Sequence, residues 1–107
     1  AVIKAYTNKP SVVLGDSDKL KEGQKLISIT SPNGTLNSID ECLFSGLGDY
    51  DKGKFITISE SEMASGSSGG ATFNPDGEVV AITTNGIGAS HLAIPINSIK
   101  SILENLK

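Results

Sequence analysis

Residues 66–70 read Gly66-Ser67-Ser68-Gly69-Gly70, and three kinds of chemistry fit such a run. Gly/Ser tracts serve as plain surface loops or linkers. Glycine-rich backbone N–H groups also cradle phosphate, but here no Gly-Lys-Ser/Thr follows and the downstream pattern is a strand rather than a helix. The third chemistry is acyl transfer by an activated serine. A tetrahedral intermediate needs two backbone N–H groups aimed at one point beside the nucleophile, and a tight turn with glycine two residues before the serine supplies them. Glycine after the serine lets the backbone pass close to its neighbours without a Cβ clash. Ser68, with Gly66 before it and Gly69 after it, has that spacing. The pentapeptide alone leaves both the loop and the nucleophile open.

Few other side chains compete for a chemical role. His91 is the one histidine and Cys42 the one cysteine, so neither a two-histidine metal site nor a disulfide framework can be built, and no cofactor is called for. Cys42 lies in the alternating stretch "SIDECLFSG" and reads as a buried, inert thiol. The net charge of −3 comes without any basic cluster, which argues against nucleic acid and anionic membrane surfaces as partners. No apolar run approaches the length that spans a bilayer.

The elements around these residues are short. A chain of 107 residues suits one domain, and 12 glycines favour many tight turns and therefore short strands. "AVIKAY" and "SVVLG" open a series of apolar runs, followed by polar "DSDKLKEG". "QKLISIT" alternates up to the turn "SPNG", and "NSIDECLFSG" and "GKFITISE" are joined by "LGDYDKG". "ATFN" and "EVVAITT" flank Pro75-Asp76-Gly77, which predicts a hairpin. "HLAIP" is a last strand. In "INSIKSILENL" the period changes: Ile96, Ile99, Ile102, Leu103 and Leu106 recur at three- and four-residue steps, which predicts an amphipathic helix after Pro95, capped by Asn97 or Ser98. The fold class is all-β, a small antiparallel barrel closed by one C-terminal helix.

Longer stretches carry a resemblance. "GSSGGATFNPDGEVVAITT" resembles the Gly-Asn-Ser-Gly-Gly-Pro segment, and the hairpin after it, of trypsin-like serine proteases of the bacterial HtrA/Deg type. In the same order, "LGDSDKLKEG" resembles that family's "LGDSDKLKVG", "LISITSPNG" its "VIAIGSPFG", "SIDECLFSGLG" its "VTEGIVSGLG", and "HLAIPINSIKSILENL" its "GFAIPINxxKxILexL". The resemblance runs over nearly the whole chain. It implies a six-stranded antiparallel Greek-key barrel, the second barrel of the trypsin-like fold, with a C-terminal α-helix. Residues 1–14 are then an orphan strand and inter-barrel linker, 24–95 the barrel and 96–106 the helix.

By position, the resemblance makes Ser68 the nucleophile and the N–H groups of Gly66 and Ser68 the oxyanion hole. Ser67 stands where the family usually has Asn or Asp, Ser65 where it has Pro, and Ala71 where Pro follows the second glycine. Glu62 and Met63 fall at the floor of the specificity pocket and His91 on its wall; a buried Glu62 carboxylate would favour a basic side chain before the scissile bond, whereas Glu62 paired with His91 or facing solvent would not. Thr84, Asn85 and Gly86 match the segment that pairs with the substrate backbone as an added strand.

The mechanism also needs a histidine base and an aspartate to orient it. In the family both come from the first barrel, the aspartate from an Asp-(Leu/Ile)-Ala-(Val/Leu)-(Leu/Ile)-Lys strand whose end matches Ala1-Val2-Ile3-Lys4. The expected partner is therefore an N-terminal barrel that supplies His and Asp, with this fragment alone inactive. Polypeptide is the expected substrate. An orphan N-terminal strand would also offer unpaired backbone groups to another copy of the chain. Family members mostly work in the cell envelope, the periplasm or outside the cell. The competing expectation is a peptide-binding pseudoprotease module that keeps the barrel without a working triad.

Overall fold

The alternation in "KLISIT" becomes strand β1, Lys25–Thr30. The structure, a computed structural model, describes residues 2–31, 38–50, 53–59, 68–87 and 90–106. Among these, β2 spans Ser38–Tyr50, β3 Gly53–Ser59, β4 Ala71–Phe73, β5 Val79–Ile87 and β6 Ser90–Pro95, and helix α1 spans Ile96–Asn105. The sheet is antiparallel and curls on itself in the order β1-β2-β3-β6-β5-β4, closing where Ile29 of β1 pairs with Ala71 of β4.

The hairpin expected at Pro75-Asp76-Gly77 joins β4 to β5. Asn74 organises it: its Oδ1 accepts the N–H groups of Asp76 at 3.0 Å and Glu78 at 2.9 Å. Gly77 supplies the positive φ of 80° that an L side chain rarely adopts.

Strand β1 holds a less expected arrangement. Its inward members are Leu26, Ser28 and Thr30, while Ile27 and Ile29 lie half-buried on the outer face. Ile39, the cross-strand partner of Ile29, is 68% exposed. Ser28 goes inside because partners meet it there, whereas the buried Thr30 Oγ1 has no hydrogen-bond partner among the described residues. Ser28 Oγ bonds Thr72 Oγ1 at 2.8 Å, and the Cys42 thiol lies 3.6 Å from both Ser28 Oγ and the Leu26 carbonyl. The apolar core around them is Leu26, Cys42, Phe44, Val80, Ala81 and Ala93.

Residues 2–13 are exposed and form no strand of the sheet; Ile3 is 86% and Tyr6 91% exposed. The segment meets the barrel around Leu14, which makes an isolated parallel bridge to Val79, flanked by Val79 N–H donating to the Val13 carbonyl at 2.9 Å and Gly15 N–H to the Val79 carbonyl at 2.8 Å. A turn of 3-10 helix follows at Ser17–Lys19.

That turn corrects the expectation for the start of α1. Neither Asn97 nor Ser98 is the N-cap; the cap residue is Pro95, which makes no side-chain cap bond. Ser17 does the capping from across the fold, its Oγ accepting the Asn97 N–H at 3.1 Å. The apolar stripe of α1 is also only partly covered, with Ile96 buried but Ile102 and Leu106 exposed.

Candidate active site

Two consecutive glycines lead into β4, and β5 holds them in place. Gly69 has φ +92° and donates its N–H to the Thr83 carbonyl at 2.9 Å. Thr83 answers with its own N–H to the Gly70 carbonyl at 2.9 Å, and its hydroxyl donates to the same carbonyl at 3.2 Å. Beyond the last β4–β5 strand pair, Ala71 with Ile82, Gly69 and Gly70 thus sit together opposite Thr83, two residues against one as in a β-bulge.

Ser68 sits exposed at the described start of this turn, and its Oγ donates to the Thr84 carbonyl at 3.2 Å. The structure therefore brings together two residues that the sequence singled out separately. A peptide carbonyl accepts a hydrogen bond but does not carry a proton away at neutral pH, so this contact orients the hydroxyl without activating it.

Asn85 and Gly86 continue β5 past the first residue of β4. The backbone of Gly86 pairs with His91 in β6, and His91 pairs on its other side with Ile58 of β3. Between Thr83 and Gly86 the β5–β6 register shifts. Glu62, Met63, Ser65, Gly66 and Ser67 lie outside the described residues.

The interior beneath the turn is polar, with Ser28, Thr72 and Thr83 all buried. Burial pushes the Cys42 thiol pKa up, against a smaller lowering by the Ser28 hydrogen bond, so this thiol stays protonated and is no rival nucleophile. Among the described residues no group of three or more His, Cys, Asp or Glu side chains could hold a metal ion.

Thr83 is the site residue that sequence reasoning passed over. In "VVAITT" a threonine reads as an ordinary β-branched strand residue, and only the register places its hydroxyl against Gly70.

The profile of the trypsin-like peptidase domain family matches residues 1–82, more than half of the chain. The chain belongs to that family. Among curated relatives, this trypsin-like domain is 35% identical to a probable periplasmic serine endoprotease, DegP-like, of Marinomonas sp. (strain MWYL1), over 92% of the chain and 23% of the relative. It is 32% identical to the putative serine protease HhoB of Synechocystis sp. (strain ATCC 27184 / PCC 6803 / Kazusa), over 99% of the chain and 28% of the relative. The trypsin-like domain thus spans about a quarter of the length of these relatives. A solved structure of the HtrA-type protease AlgW with a tripeptide superposes with a TM-score of 0.85 at 23% identity, over 96% of this chain and 38% of that one. At that identity the likeness speaks for the fold: mostly β, with a curled antiparallel sheet and a C-terminal helix.

Proposed function

We propose that this chain is the C-terminal barrel half of an HtrA-related serine endopeptidase that hydrolyses peptide bonds through an acyl-enzyme on Ser68. The observation that carries the reading is the Gly69–Thr83 clamp, which sets an exposed serine beside a strand suited to receive a substrate backbone. In the proposed reaction Ser68 Oγ attacks the scissile carbonyl while its proton passes to a histidine base. The oxyanion rests against the N–H groups of Gly66 and Ser68. The C–N bond then breaks, the amine leaves with the proton, and water releases the acyl group by the same steps.

The base and its aspartate come, in this reading, from a preceding barrel, and the sheet described here is the second, Greek-key barrel. The outward apolar surface of Ile27, Ile29 and Ile39, with exposed Val2, Ile3 and Tyr6 on the N-terminal segment, is the kind of surface such a barrel would cover. Substrate polypeptide adds as a strand along Thr84, Asn85 and Gly86, with Glu62, Met63 and His91 around its side-chain pocket. The periplasmic naming of the DegP-like relative supports work outside the cytoplasm. Among the described residues, no helix is long and apolar enough to cross a membrane.

The test is labelling by a fluorophosphonate probe. The full-length protein labels at Ser68, S68A does not, and the 107-residue chain alone labels poorly for want of a base. Equal labelling of S68A contradicts the assignment. The Ser68–Thr84 contact also fits a second reading, a peptide-binding module that performs no chemistry. Peptide binding by a full-length protein that the probe never labels would favour that module.

A further inference from the structure

Gly69 and Gly70 present no side chains, and among the described residues, chain neighbours aside, no atom lies within 4 Å of where a Cβ on Gly69 would stand. Among the described residues, hydrogen bonds rather than packing hold the Gly69 side of this turn. Thr83 makes three of them: its carbonyl accepts from Gly69 at 2.9 Å, its N–H donates to the Gly70 carbonyl at 2.9 Å, and its Oγ1 donates to that same carbonyl at 3.2 Å. The two backbone bonds set Gly69 and Gly70 together opposite Thr83, two residues against one as in a β-bulge with glycine at its positive-φ position. The hydroxyl approaches from the interior, from a residue only 2% exposed, and adds a second direction of restraint.

We infer that the Thr83 hydroxyl is a positioning device for the nucleophile turn: by engaging the Gly70 carbonyl alongside the Thr83 N–H, it fixes the tilt of the Gly69–Gly70 segment and so the direction in which Ser68 presents its Oγ. The inference rests on the reading of Ser68 as nucleophile. In this role Thr83 acts through the Gly70 carbonyl and not on the reacting atoms. Its effect belongs on the acylation rate and not on substrate affinity, because a misaimed nucleophile binds peptide as well as an aimed one.

The experiment compares T83V, T83S and T83A in the full-length protein. T83V keeps the side-chain shape and removes the hydroxyl; T83S and T83A differ from each other in the hydroxyl alone, which keeps the comparison usable if T83V folds poorly. With a hydroxyl lost, fluorophosphonate labelling and kcat fall about five- to tenfold with KM unchanged. T83S stays near wild type, and the Gly69 amide exchanges its hydrogen faster in T83V and T83A than in T83S. Equal labelling rates in T83S and T83A, or a change confined to KM, overturn the role of Thr83 while leaving Ser68 as nucleophile. A full-length wild type that the probe does not label overturns the protease reading together with the acylation role of Thr83.

Discussion

Ser17 and Asn97, 80 positions apart in the chain, exchange hydrogen bonds: the Asn97 N–H donates to Ser17 Oγ at 3.1 Å, and the Ser17 N–H donates to Asn97 Oδ1 at 3.3 Å. Asn97 Nδ2 also donates to Asp16 Oδ1 at 2.8 Å, and Lys100 Nζ donates to the Gly15 carbonyl. This clasp ties the segment that leads into the barrel to the helix that closes the chain.

Asn97→Ala leaves the N–H of buried Ser17 without this acceptor and lowers stability by about 1–3 kcal/mol. Ser17→Ala instead removes the helix cap at a cost of about 1 kcal/mol. Urea unfolding of both variants checks the pair; no loss in N97A contradicts the clasp.

The clasp also responds to acid. The Asn97 amide and then the Asp18 N–H hold the Asp16 carboxyl below its ordinary value of 3.8. A depressed folded-state pKa contributes stability that is present above the unfolded value and lost as pH falls through the lowered folded value. Wild type is therefore more stable than D16N at neutral pH, and the gap closes in acid. A gap that stays constant from neutral pH to well below pH 3.8 argues against the ionised clasp.

Two glycines resist substitution for different reasons. Gly69→Ala meets no atom among the described residues but must hold φ near +92°, which costs about 1–2 kcal/mol and disturbs the aim of Ser68. Gly15→Ala keeps an allowed backbone but places its Cβ 3.1 Å from both Glu78 Cβ and Val80 Cγ1, an overpacking worth about 1–3 kcal/mol. Thermal unfolding shows both losses. Probe labelling of the full-length protein separates them, because G69A loses reactivity beyond its loss of stability.

Cys42 is sealed in the core with a raised pKa. A thiol reagent modifies it slowly in the folded protein at neutral pH and rapidly in denaturant. Fast modification of the native protein contradicts the burial.

Local features of the fold are legible because they rest on near neighbours. Pro75-Asp76-Gly77 announces its hairpin through turn chemistry, and the three- and four-residue steps from Ile96 onward announce a helix. What covers that helix is not legible: Ile102 and Leu106 belong to the apolar stripe and yet stand exposed. In β1 the alternation marks a strand but not which face turns inward, since Ser28 enters the core to meet Thr72 and Cys42 from other strands.

The sequence by itself determined the period of each element, the glycine positions that permit tight turns, and the singling out of Ser68 by Gly66 and Gly69. Only the tertiary structure decided that the Thr83 hydroxyl meets the Gly70 carbonyl, that Ser17 caps a helix 80 positions away, and that Ser68 rests on the Thr84 carbonyl. The physical reason is range. Backbone preference and periodicity are settled within a few residues, whereas the partner of a hydroxyl depends on strand register, which exists only once the sheet has closed.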